Sequence, residues 1–190
     1  MKKNLITAFL MTITTTILLG IIYPLVVTGL AQLLFHDKAN GQLIARNGEV
    51  IGSRLIAQGF TSAKYFHPRP SGAGNGYDPM NSNGSQLAST NQKLIDRVRS
   101  DAATLHQENP SQLIPVDLLT MSASGLDPEI SPAAAEFQIP RVAHERGIAE
   151  SVVRGLVQKH TAQRDLGLLG EPRVNVLELN LALDDLAVKH

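Results

Sequence analysis

The stretch from Leu5 to Phe35, LITAFLMTITTTILLGIIYPLVVTGLAQLLF, contains no charged residue. At 1.5 Å per residue, a helix of roughly thirty residues exceeds the roughly 30 Å hydrocarbon thickness of a bilayer, so it provides fully for one crossing. A cleaved signal peptide is the competing reading, with Lys2 and Lys3 as its basic region and Gly29 and Ala31 as small residues before a cleavage site. The apolar run outlasts the roughly 7 to 15 residues typical of a signal core, which favours a retained anchor. Lys2 and Lys3 precede the span, whereas His36, Asp37 and Lys38 follow it without a basic excess. The positive-inside rule therefore puts the N-terminus in the cytoplasm and the remainder outside it. Inside the span, Thr12, Thr15, Thr16 and Gly20 fall near one face, a stripe suited to close approach of another helix. Threonines that bond back to their own helix carbonyls explain the same stripe without a partner. Pro24 should kink the helix and free a carbonyl that needs local adjustment.

Outward from this span, the chain of 190 residues carries 17 Lys+Arg against 17 Asp+Glu, so no basic surplus exists to neutralise phosphates, and a nucleic-acid binder is disfavoured. Absence of Cys removes disulfides, thiolate metal sites and cysteine nucleophiles. Residues 1–36 read as an N-terminal tail and transmembrane helix, and 37–190 as one mixed α+β extracytoplasmic domain. Asn47-Gly48 between Gln42–Ala45 and Val50–Ile56 predicts a β-hairpin. From His67 to Asn91, Pro, Gly, Asn and Ser exclude long regular elements, and Phe66, Arg69, Tyr77 and Asp78 interleaved there favour a structured contact surface over a solvated linker.

Leu94, Ile95, Val98, Ala102 and Leu105 form a helical stripe after Thr90 or Asn91 as cap. Ser131-Pro132 opens a second helix running to about Arg146 before Gly147, with a kink or break expected at Pro140. A third runs from about Ala149 to His160, burying Val152, Val153, Leu156 and Val157. Near the C-terminus Val174, Val176, Leu179, Leu181 and Leu183 alternate with Asn175, Glu178, Asn180 and Ala182, which supports a strand, although the last residues have the option of a helix.

Chemical motifs are scarce. No G-x-x-x-x-G-K-[ST] phosphate loop exists, and Ser122-Ala123-Ser124-Gly125 lacks the first glycine of a serine-hydrolase elbow. His36, His67, His106, His144, His160 and His190 stand too far apart for a helical metal pair. No catalytic residue and no metal ligand emerges.

Taken together, the blocks of the chain resemble the KdpC family of the Kdp-type potassium-transporting P-type ATPases. The resemblance rests on Tyr23-Pro24-Leu25, Gln58-Gly59-Phe60, Tyr65-Phe66-His67-Pro68-Arg69-Pro70-Ser71, Tyr77-Asp78-Pro79, Gly84-Ser85 and Thr90-Asn91. It continues through Pro115-Val116-Asp117-Leu118, Ser122 to Pro128, Ile130 to Ala134, Gln138 to Ala143, and Gly170 to Asp184. Gln86 and Met121 depart from the family pattern, where Asn and Ala are expected.

The resemblance implies a non-catalytic accessory subunit of an ATP-driven potassium uptake pump in the cell inner membrane. Its implied partners are a channel-like potassium-binding subunit, a phosphorylating P-type subunit and a small membrane peptide, which handle ATP, Mg2+ and K+. The chain itself has no D-K-T-G-type phosphorylation loop. The family also implies a nucleotide contact at Ser122, Ser124 and Gly125, and help with ATP use by the partner. A domain outside the cytoplasm meets essentially no ATP, and the Ser-Gly turn serves equally as a cap for the helix starting at Ser131. Covering the ion entrance is the other implied role. Partner contacts are expected at Phe66, Arg69, Tyr77 and Asp78, at the turn Asp127-Pro128, and more weakly at Glu171-Pro172-Arg173. Phe66 and Tyr77 pinning the loop to its own domain is the alternative. A membrane-anchored extracytoplasmic hydrolase and a stand-alone binding protein are the competing functions.

The topology is directly testable. A phosphatase reporter fused after His190 should be active and a cytoplasm-dependent fluorescent reporter there dark; the reverse pattern would overturn the assignment.

Overall fold

The computed structural model describes residues 2–187, so His190 lies outside the described residues. The chain forms two compact units that divide between Leu43 and Ile44.

In the first unit, α1 (Lys2–Ile17) and α2 (Tyr23–Leu34) are joined by a π-helical turn, Leu18–Ile22. Proline lacks the N–H that an α-helix gives to the carbonyl four residues back. The helix accommodates Pro24 by widening: Tyr23 N–H bonds to Leu18 O, five residues back. The continuous helical run Lys2–Leu34 spans 33 residues, about 50 Å of length. It is the one helix among the described residues long and apolar enough to cross a membrane, and it makes this a single-pass chain with an extracytoplasmic domain. The Thr12 hydroxyl donates to Ala8 O at 2.9 Å and the Thr15 hydroxyl to Met11 O at 2.8 Å, so both threonines back-bond within their own helix. A short helix α3 (His36–Ala39) follows.

The second unit opens with the expected hairpin, β1 (Leu43–Arg46) and β2 (Glu49–Ser53). Asn47 and Gly48 have φ of 54° and 86°, the two positive values a two-residue turn demands. Residues 54–91 then contain neither helix nor strand. Helix α4 (Gln92–Glu108) starts where the Asn91 side chain accepts from Lys93 N–H.

Helix α5 (Pro132–Arg146) is capped by the Ser131 hydroxyl, which accepts from Ala134 N–H at 3.0 Å, and ends at Gly147 in the left-handed region. Ser131 N–H and hydroxyl in turn donate to Asp117 at 2.7 and 3.1 Å, so the Ser122–Leu126 turn is not this helix's cap. Of the kink or break expected at Pro140, the break does not occur: the helix is continuous from Pro132 to Arg146. Buried Phe137, Ile139, Val142 and Ala143 lie on both sides of the proline in sequence and hold the helical path across it.

Helix α6 (Glu150–Lys159) buries Val153 and Val157, but Val152 is 49% exposed, because the apolar stripe runs through 153, 156 and 157. The C-terminal alternation resolves into a three-residue strand and a helix: β5 (Arg173–Asn175), then α7 (Val176–Ala187). Asn175 starts the helix by accepting from Glu178 N–H at 3.1 Å. Buried Val176, Leu179, Asn180 and Leu183 repeat at the helical spacing; the alternating pattern had put Asn180 on the polar side. Strands β3 (Glu129–Ile130), β5 and β4 (Thr161–Ala162) form an antiparallel sheet in the order β3-β5-β4, with Val174 opposite both Ile130 and Thr161. Phe66, Ile130, Phe137, Val142, Val153, Val174, Leu179 and Leu183 meet in one core.

The irregular segment enters that core at Phe66, which is fully buried. No strand pairs its backbone. Instead Phe66 N–H donates to Asn180 Oδ1 at 2.8 Å and Asn180 Nδ2 donates to Phe66 O at 2.9 Å. One residue on, His67 N–H donates to Gln138 Oε1 at 2.8 Å and Gln138 Nε2 donates to His67 O at 3.1 Å. Burial and the nearby Arg141 charge hold the His67 imidazole below the usual histidine range. Arg141 also donates to Ala63 O and Tyr65 O and pairs with Glu108, while Arg146 donates to Lys64 O and pairs with Asp184. The chain thus has a row of side chains standing in for a neighbouring strand.

Replacing Asn180 by Ala strands a buried N–H and C=O together, and should cost about 2–4 kcal/mol in chemical denaturation of the detergent-solubilised chain. A loss under about 0.5 kcal/mol would contradict this role.

Candidate functional site

The loop that leaves this clasp returns against the turn Ser122–Leu126. Ser71 Oγ donates to Gly125 O at 2.6 Å and accepts from Ala73 N–H and Tyr77 N–H; Asn83 N–H donates to Ser124 O at 2.9 Å. Gly125 is buried with φ of 67°, and a Cβ there would sit 2.8 Å from Ala73 N and closer still to Asn83 O, so only glycine fits. Two amide donors of this turn are used internally: Gly125 N–H bonds to Ser122 O and Leu126 N–H to Ser124 Oγ. Ser122 and Ser124 hydroxyls lie 3.4 Å apart. Ser122 lines a polar recess with Ser82–Leu87, whereas Gly125 faces backbone.

Phe66, expected at a partner surface, is a core residue with no exposed area; that expectation is corrected by its burial. Arg69 is a brace. Its guanidinium donates to Asp127 Oδ2 at 3.0 Å, to Thr120 O and Met121 O at 3.3 Å, and to Thr120 Oγ1 at 3.4 Å. Tyr77, in the left-handed region at φ 56°, donates its hydroxyl to Arg69 O at 2.8 Å, and burial raises its phenol above the usual range. Asp78 accepts from Asn81 Nδ2 and Met80 N–H, which lowers its carboxyl pKa and locks a local turn. Pro128 O accepts from Val176 N–H at 3.0 Å, tying this turn to the start of α7.

The structure nonetheless brings Arg69, Asp127, Glu171, Pro172 and Arg173 to one place. They line an open recess of about 580 Å³ with Val116, Asp117, Glu129 and Ile130, at the edge of the three-stranded sheet. Its cations are already matched: Arg69 pairs with Asp127 at 3.0 Å and Arg173 with Glu129 at 3.0 Å. Burial pushes the Glu129 carboxyl up against the opposing pull of Arg173. Val116 is 70% exposed on the lip. Such a surface of apolar patches between fixed ion pairs suits docking of a protein partner, and its hydroxyl–carboxylate contact, Ser131 to Asp117, is engaged in capping α5. Among the described residues, no group of three or more His, Cys, Asp and Glu is placed to hold a metal ion.

Sequence reasoning missed Asp117 and Glu129, which the structure places on the recess, Glu129 through the β3–β5 pairing. It also missed the loop Asp165–Gly170, whose three leucines are exposed. Short apolar runs carry no sign of whether they face inward. Thr12, Thr15, Thr16 and Gly20 lie in the membrane helix, with Gly20 inside the π turn where an added Cβ would meet only Thr16 Cγ2, at 3.8 Å.

A family model described as the c chain of K+-transporting ATPases matches residues 5–185. Relatives named potassium-transporting ATPase KdpC subunit are similar over nearly their whole length. One from Koribacter versatilis is 62% identical over 97% of this chain and 95% of its own. Another from Acidobacterium capsulatum is 55% identical over 97% and 99%, and one from Mycobacterium bovis 52% identical over 98% and 100%. With a single apolar span, an outer domain braced by its own side chains and a matched-charge recess, the chain belongs to the K+-transporting ATPase c-chain family, the non-catalytic accessory subunits of this potassium pump.

Proposed function

We propose that this chain is the extracytoplasmic docking subunit of its pump: the membrane helix packs with partner spans, and the outer domain seats its recess on another chain at the outer mouth of the ion path. The partners are the channel-like and the phosphorylating subunits together with a small membrane peptide, and ATP, Mg2+ and K+ are handled by them. One observation carries the reading. Five residues from three separated segments, Arg69, Asp127 and Glu171 to Arg173, converge on one recess whose ion pairs are formed before any partner arrives. Preformed pairs lower the ordering cost of association and give register through charge complementarity. A nucleotide role at Ser122, Ser124 and Gly125 is poorly supported, since the Gly125 and Leu126 amides are occupied within the turn and the domain is extracytoplasmic.

Two sets of substitutions separate contact from brace. Val116→Lys with Glu171→Lys alters exposed recess residues, and should reduce co-purification of the other pump chains and K+-stimulated ATPase activity while the isolated chain keeps its melting temperature. Arg69→Ala should instead lower that melting temperature by about 4 °C or more, because it removes a brace between two loops. Normal assembly of the double variant would move the docking surface elsewhere.

A further inference from the structure

Strands β4 and β5 are the arms of a hairpin whose connection, residues 163–172, projects beyond the sheet edge. Its tip is ordered by its own bonds. Asp165 N–H donates to Leu169 O at 2.8 Å and Leu169 N–H to Asp165 O at 2.9 Å, while Gly167 N–H donates to Arg164 O and Leu168 N–H to Asp165 O. Arg164 pairs with Glu171 at 2.5 Å across the neck, and Arg173 reaches Asp165 at 3.7 Å. On this frame Leu166, Leu168 and Leu169 are 90%, 80% and 62% exposed. Leu166 also sits at φ 55°, an uncommon conformation for a branched residue. Three leucines held outward by a closed ring of hydrogen bonds contribute nothing to the domain's own core. They have the character of a preorganised apolar anchor.

We infer that this leucine tip inserts into an apolar cleft on the extracytoplasmic surface of another chain of the pump. The inference rests on the docking reading above and names a contact that reading does not contain. Two features select protein over lipid as the occupant. The basic groups at the neck, Arg164 and Arg173, are balanced by Glu171, Asp165 and Glu129, which leaves no positive surplus for anionic headgroups. No aromatic residue follows Phe137, so the tip has no Trp or Tyr of the kind that anchors a segment at a membrane interface. The tip is also continuous in the chain with Glu171-Pro172-Arg173, the wall of the recess, so a partner seated there meets both surfaces.

The cysteine-free chain makes the test direct. Leu168→Cys, labelled with an environment-sensitive fluorophore, is followed in full-length protein. The expected result is a blue shift on assembly with the other pump chains, and none when the labelled subunit alone is placed in phosphatidylglycerol–phosphatidylethanolamine nanodiscs. In parallel, Leu166→Ser, Leu168→Ser and Leu169→Ser together should lower co-purification of the pump chains by about tenfold or more, with an unchanged melting temperature. Leu168→Met should assemble normally. A blue shift in nanodiscs alone would assign the tip to lipid, and a concentration-dependent shift of the isolated chain in detergent would assign it to a second copy; either overturns the inference. Wild-type-like assembly of the triple serine variant overturns it too while leaving the docking reading standing, whereas failure of the unmodified chain to co-purify defeats that reading itself.

Discussion

The backbone of Phe66 and His67 runs through the interior of the outer domain with no strand beside it, and two buried amides, Asn180 from α7 and Gln138 from α5, supply the missing donors and acceptors. A buried peptide group left unpaired costs free energy comparable to a lost hydrogen bond, so an irregular segment enters a core only where side chains complete its bonding. Everything downstream depends on this. Phe66 fills the core between the two helices, Arg69 is placed to brace Asp127, and the Ser71–Gly125 knot fixes the loop over the turn that leads into Asp127 on the recess. A pump subunit with no chemistry of its own acts by shape, and here the shape of a region without helix or strand is set by side-chain hydrogen bonds.

The membrane unit solves a related problem. Pro24 removes a donor in a medium that offers no water to replace it, and the π turn at Leu18–Ile22 is the local rearrangement around that loss. Thr12 and Thr15 of the same helix satisfy their hydroxyls on carbonyls one turn back. Back-bonding leaves their methyl groups available for packing, so it is compatible with a partner helix and does not require one.

Much of this was legible in the sequence where a local rule has a sharp signature. The uncharged span, Asn47-Gly48, the Ser131-Pro132 start and the Gly147 stop each map onto one backbone requirement, and each appears where its residues stand. The misses share a cause. Pro140 predicts a kink or break from local sterics, yet the helix runs on through it with buried residues on both sides. Val174 to Leu183 fits the strand period only with Asn180 facing solvent, whereas its place is inside the core on the Phe66 backbone. Phe66 looked like an interface anchor because a Gly- and Pro-rich loop builds no core alone; the core was supplied by helices that lie far along the chain. The recess residues were partly legible through the resemblance, but their convergence depends on strand pairing that no short motif encodes.

The central claim is that the irregular segment is fixed within the chain itself, before any partner binds. Amide hydrogen exchange at Phe66 and His67, measured on the full-length subunit alone in detergent, tests it most directly. The account predicts protection approaching that of buried α5 residues such as Val142. Exchange at the rate of an unstructured peptide, slowed only when the other pump chains are added, would contradict it.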